Sequence, residues 1–151
     1  MNLDTFLAHA VKLEHEAALI YAKSAEVVAG SENQDTVAFF REMAGFANMH
    51  LSDVMARAGY KDLSDLPQLS YQWGDHSAPE TMSPIPASGD IIDLDSAMTR
   101  ALDAERRAVA YYEEAAQSSL DSQVRALALE FAAEERGHVL ALERFMGLKP
   151  Y

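Results

Sequence analysis

Residues Glu130-Phe131-Ala132-Ala133-Glu134-Glu135-Arg136-Gly137-His138 decide how the rest of the chain is read. On a helix, Glu135 and His138 lie three residues apart, one turn along the same face. That face is otherwise apolar, with Val124, Leu127, Phe131, Leu142 and Phe145 on or beside the same stripe. A carboxylate and an imidazole placed on an apolar stripe need partners, because burying either one alone is costly. One such partner is a metal ion, and Glu-x-x-His is a spacing with which helical bundles hold metals. The other reading is a helical glutamate beside a hydrogen-bonded core histidine. The motif by itself does not choose between them.

Composition narrows the field. A chain of 151 residues with 49% hydrophobic residues reads as one domain with room for a core. No apolar run reaches the roughly 18 residues of a membrane span. The start, Met1-Asn2-Leu3-Asp4, lacks the basic segment of a signal peptide, so a cytoplasmic location is expected. A formal net charge of -12 argues against nucleic acid and anionic membrane as partners. Cysteine is absent, which excludes disulfides and thiolate chemistry and leaves carboxylates and histidines as metal ligands.

Periodicity predicts four helices, over about 3–29, 32–58, 93–118 and 121–146. Gly30, Gly59 and Gly147 read as stops, and Ser31-Glu32-Asn33-Gln34 as a capping box opening the second helix. Inward stripes carry Glu14 with Tyr21, His50 with Ala47, and Glu105 with Tyr112; His9 and His15 fall off the stripe and are expected in solvent. Between about 60 and 90 the pattern breaks into a connector with Pro67, Pro79, Pro84, Pro86 and the lone Trp73; Asp75 and His76 there read as surface-loop residues. Two helical hairpins joined by one long crossover connector form an all-α, ferritin-like four-helix bundle. The expectation is a single ferritin-like domain over 1–151.

The two halves repeat. Glu14 and Glu105 are offset by 91 positions, as are Tyr21 and Tyr112, while His50 and His138, and Gly59 and Gly147, are offset by 88. Leu13 to Tyr21 (LEHEAALIY), Ala104 to Tyr112 (AERRAVAYY) and Glu130 to His138 (EFAAEERGH) resemble the rubrerythrin branch of the ferritin-like superfamily, over nearly all the chain except the connector.

That resemblance implies a non-haem di-iron, or other di-metal, oxidoreductase acting on peroxide, oxygen or ferrous iron. Carried over by position, the metal ligands are Glu14, His50, Glu105, Glu135 and His138. The family's second Glu-x-x-His would place a bridging glutamate at position 47, where this chain has Ala47. The alternative reading follows from that loss: a non-catalytic or degenerate bundle with a mononuclear or absent metal site. Iron is the implied metal, as two ions or one per chain, with manganese or zinc also compatible. The resemblance further implies a homodimer. The cysteine-bearing rubredoxin-like domain of classical rubrerythrins is missing, so an enzyme of this kind needs an external electron donor.

Overall fold

In this computed structural model, residues 1–68 and 91–147 are described. They form α1 (Leu3–Val28), α2 (Gln34–Ala58), a short 3-10 turn (Leu63–Asp65), α3 (Leu94–Ser118) and α4 (Ser122–Phe145). Helices of about 25 residues are nearly 40 Å long at 1.5 Å per residue, long enough to stack two layers of core with space between them.

Side chains at the helix starts explain the boundaries. The Asn2 side chain accepts from the Thr5 amide, and Asp93 and Ser96 form a reciprocal capping box at α3. Asp121 caps α4 by accepting from the amides of Gln123 and Val124. At α2 the expected box is displaced: Asn33 is the cap, accepting from Asp35 and Thr36, while Ser31 only takes a hydrogen bond from the Asn33 amide. The asparagine carbonyl reaches two free amides, so the helix starts two residues after the expected position 32. Gly59 ends α2 in the left-handed region at φ 78°, with the Tyr60 amide bonded back to Met55. Gly30 does not repeat this role: Ala29 ends α1 in helical geometry, and positive φ among the described glycines occurs at Gly59 and Gly147.

Short links make α1 pack against α2 and α3 against α4, and α1 also lies along α3. Two apolar clusters fill the bundle. One gathers Ile20, Tyr21, Phe40, Met43, Ala47, Met98, Leu102 and Leu142; the other gathers Phe6, Val11, Val54, Tyr112, Val124 and Phe131. In the second, Phe6 stacks on Phe131, with ring centroids 5.8 Å apart, and Tyr112 meets Phe131 edge-on. Each helix passes from one cluster to the other, and each carries a buried polar residue at the crossing. Glu14 lies between Leu13 and Ala18, His50 between Ala47 and Val54, Glu105 between Ala104 and Ala108, and Glu135 between Ala132 and Leu142.

His9 corrects the expectation of a solvated residue: it is 2% exposed. Its Nδ1–H donates to the Thr5 carbonyl at 2.8 Å, and its ring stacks on Tyr111. Because α1 touches α2, α3 and α4, its buried arc is wider than a single stripe. Of the expected connector, residues 69–90, with Trp73, Asp75 and His76, lie outside the described residues. Among the described residues no helix is long and apolar enough to cross a membrane.

Candidate metal centre

Two groups of side chains meet in mid-bundle: Glu14, His50 and Glu135, and Glu105, Glu135 and His138. In each group, one potential ligand atom per residue lies within 4.8 Å of the others. Glu135 belongs to both. Its Oε1 is 3.3 Å from His50 Nδ1 and its Oε2 is 3.1 Å from His138 Nδ1. Glu14 Oε2 closes the first group at 3.1 Å from His50 Nδ1, and Glu105 Oε2 the second at 2.7 Å from His138 Nδ1. The five sequence-selected residues therefore converge, with the two histidines presenting the same ring nitrogen.

The two tyrosines occupy matching positions but differ in their contacts. Tyr112 donates its hydroxyl hydrogen to Glu14 Oε1 at 2.8 Å. Its counterpart Tyr21 is buried with its hydroxyl unpaired. Burial, then the charges of Glu105, Glu135 and Glu14, push its pKa well up, so it stays a neutral phenol.

Protons hold the centre together without a cation. Burial and the Glu135 charge raise the Glu14 carboxyl to about 7. Burial and Glu135 likewise push Glu105 well above the carboxylate range. Burial alone would lower His50 and His138, but the close carboxylates of Glu14, Glu105 and Glu135 outweigh it and lift them to about 11 and about 10. Burial would raise Glu135, yet hydrogen bonds from His138, His50 and Glu14 keep it below the usual range. One ionised carboxylate thus sits between two imidazoliums.

These shifts fix a pH dependence. Glu14, Glu105 and both histidines have folded pKa values above their unfolded ones, so their stabilisation is complete at low pH and lost as pH rises. Glu14 loses its part between 4.5 and about 7, and the histidines lose theirs between 6.5 and about 10–11. Glu135 acts oppositely, but below the carboxylate range only. Chelator-treated protein is therefore expected to melt lower at pH 9 than at pH 6, by roughly 5–10 °C for a few kcal/mol. A melting temperature that is level or rises over that interval contradicts this assignment of protons.

The donor set suits a cation. Both ring nitrogens of His50 and Oε1 of Glu135 are buried without an aligned hydrogen bond, although their neighbours stand 2.8–3.3 Å away. Oxygen and imidazole donors of this kind fit iron, manganese or zinc. A groove of about 380 Å³, lined by Phe46, Met49, His50, Asp53, Glu134 and His138, opens onto the centre.

Position 47 carries no donor: Ala47 is 2% exposed and belongs to the apolar cluster. Asp53, one turn beyond His50, is half exposed, lines the groove and is paired with Arg57 at 3.0 Å. Sequence reasoning passed over Glu134, whose Oε2 is 2.8 Å from His50 Nε2. The signal was the second nitrogen of His50, which needs a partner as much as the first.

Fold and site together define a ferritin-like bundle with a Glu/His centre between its helices. A crystal structure of an uncharacterized conserved protein from Magnetospirillum magnetotacticum MS-1 is similar over 100% of this chain and 97% of that one, at 34% identity and TM-score 0.75. The chain belongs to the same family as that protein, and its fold is the ferritin-like bundle. A dodecameric thioferritin, the bacterioferritin-related protein from Bacteroides fragilis, shares the fold at 23% identity and TM-score 0.65, over 96% of this chain and 84% of that one. No protein-family model and no curated protein matches the sequence.

Proposed function

We propose that the chain is a rubrerythrin-like non-haem di-metal protein, holding two ions through Glu14, His50, Glu105, Glu135 and His138. The observation that carries this reading is the shared position of Glu135, with one oxygen toward each histidine. A bundle without a site has no reason to gather five ionisable groups around one point, four of them buried, since their desolvation opposes folding. When bound, a pair of iron ions would supply redox chemistry toward peroxide or oxygen, or oxidise ferrous iron as substrate. The chain's own part is to fix the ligand positions, to exclude bulk water with the two apolar clusters, and to admit small molecules through the groove beside His50 and His138.

Electrons would come from a donor outside these 151 residues, which hold no cysteine for an iron–sulfur or rubredoxin-like centre. A cytoplasmic homodimer completes the proposal. Ala47 favours a second reading, in which Glu105, Glu135 and His138 keep one ion and the Glu14/His50 half is weak. Elemental analysis of protein from iron-supplemented cells separates the two. About two ions per chain, with peroxide consumed by the reduced protein, is the outcome expected of the di-metal enzyme. One ion per chain supports the second reading, and none rejects both.

A further inference from the structure

His50 is approached by carboxylates on both edges of its ring. Nδ1 faces inward to Glu14 and Glu135, whereas Nε2 meets Glu134 Oε2 at 2.8 Å on the groove side. Consecutive residues of α4 thus grip one imidazole from opposite edges. About 100° of helical rotation separates Glu134 from Glu135, which takes Glu134 out to the surface while its neighbour stays in the core. The Phe131 ring, 5.1 Å away and nearly perpendicular, closes a third side. His138 is held differently: among the described residues its carboxylate contacts run through Nδ1 alone.

We propose that Glu134 is a positioning residue for His50, accepting a hydrogen bond from Nε2–H so that Nδ1 is the nitrogen offered to a cation. The proposal rests on the metal-binding reading above. A histidine that binds metal through one nitrogen is oriented, and its tautomer fixed, by an acceptor on the other. Glu134 is the carboxylate within reach of Nε2. Its approach lies off the N–H axis here, with Glu14 and Glu135 drawing the opposite edge of the ring. The side chain is 45% exposed and has room to swing into line. Glu134 also restores a negative charge beside the half of the centre that lacks one because of Ala47.

The probe is zinc, which is diamagnetic, added to the chelator-treated full chain in competition with a chelator. Glu134→Ala is expected to weaken one of two zinc ions by about 10–100-fold and leave the other unchanged. The NMR signal of the His50 Nε2–H in the zinc form is expected to broaden by exchange with water in that variant. Glu134→Gln retains an acceptor oxygen and is expected to bind within roughly threefold of wild type. Because Glu134 is half exposed, both variants are expected to melt close to wild type, which separates this effect from misfolding. An alanine variant that holds both ions with the signal intact overturns the proposal alone. So does a glutamine variant as weak as the alanine one, which would make the charge, not the acceptor, the operative feature. Wild-type protein that takes up no zinc overturns the metal reading and this proposal with it.

Discussion

Glu135→Gln is expected to empty both halves of the centre at once. The glutamate is 1% exposed, each of its oxygens faces a different histidine, and among the described residues no other is shared by both groups. Glutamine keeps the shape and removes the charge. One of its two donor positions becomes an amide N–H₂ group directed at an imidazole nitrogen or a cation, where only an acceptor is useful. Affinity should fall at both positions by more than the roughly 10–100-fold that losing an outer partner costs. Glu14→Gln provides the contrast, weakening the His50 half and sparing the His138 half. The metal-free protein should suffer as well. Removing the anion between the buried His50 and the partly buried His138 leaves charge uncompensated; breaking a fully buried pair typically costs about 3–5 kcal/mol, and the partial exposure of His138 reduces its share. Metal per chain after reloading, measured beside the melting temperature of the chelated protein, tests both statements. Two tightly held ions in Glu135→Gln would show that the centre is not built around Glu135.

Much of this was legible in the chain because its signals are periodic. Four helices follow from stripes whose apolar residues recur at helical spacing, and the bundle follows from their length and pairing. The equal offsets of Glu14 to Glu105 and Tyr21 to Tyr112 put these residues at matching positions of the first and third helices. Tyr112 bonds Glu14 across those helices, whereas the Tyr21 hydroxyl makes no such bond. Features that depend on contact between helices were not legible. His9 looked solvated because a single stripe was assumed, whereas α1 is covered from several sides. Gly30 carried the composition of a stop without the left-handed geometry of one, since Ala29 closes the helix first. Asn33 took the cap from Ser31 because its longer side chain reaches two amides at once.

Glu134 belongs to the same class of omission. Its neighbour Glu135 satisfied the expected motif, and a residue one step along a helix points about 100° away, normally to solvent. Only the position of α2 against α4 makes that direction useful, by bringing the outer nitrogen of His50 to it. Sequence periodicity reports which face of a helix is buried. It does not report what an adjacent helix presents at the edge of that face.

Ala47→Glu is expected to be less stable than wild type without metal and at least as stable as wild type with it. Position 47 is one helical turn before His50 on the same face, and it packs in the cluster with Tyr21 and Met43. Without metal, the new side chain overfills that cluster, at a cost of about 1–3 kcal/mol, before any cost of its carboxyl group is counted. A fourth buried carboxylate, beside Glu14, Glu105 and Glu135, must also be protonated or paired among groups already competing for protons. The chelated variant should therefore melt well below wild type, by about 5–15 °C. With metal present the same carboxylate becomes a ligand and cancels charge beside the His50 half. Binding to the folded state alone then adds stability that grows with affinity, about 4 kcal/mol at a thousandfold excess over Kd. The loaded variant should match or exceed loaded wild type, and its second ion should resist chelation longer. Ala47→Gln separates bulk from charge, since it carries the packing cost and lacks the anionic ligand. If Ala47→Glu and Ala47→Gln lose stability equally with and without metal, position 47 is part of the core and not of the centre. The pair of variants therefore decides whether the loss of one carboxylate made this centre asymmetric or left it unchanged.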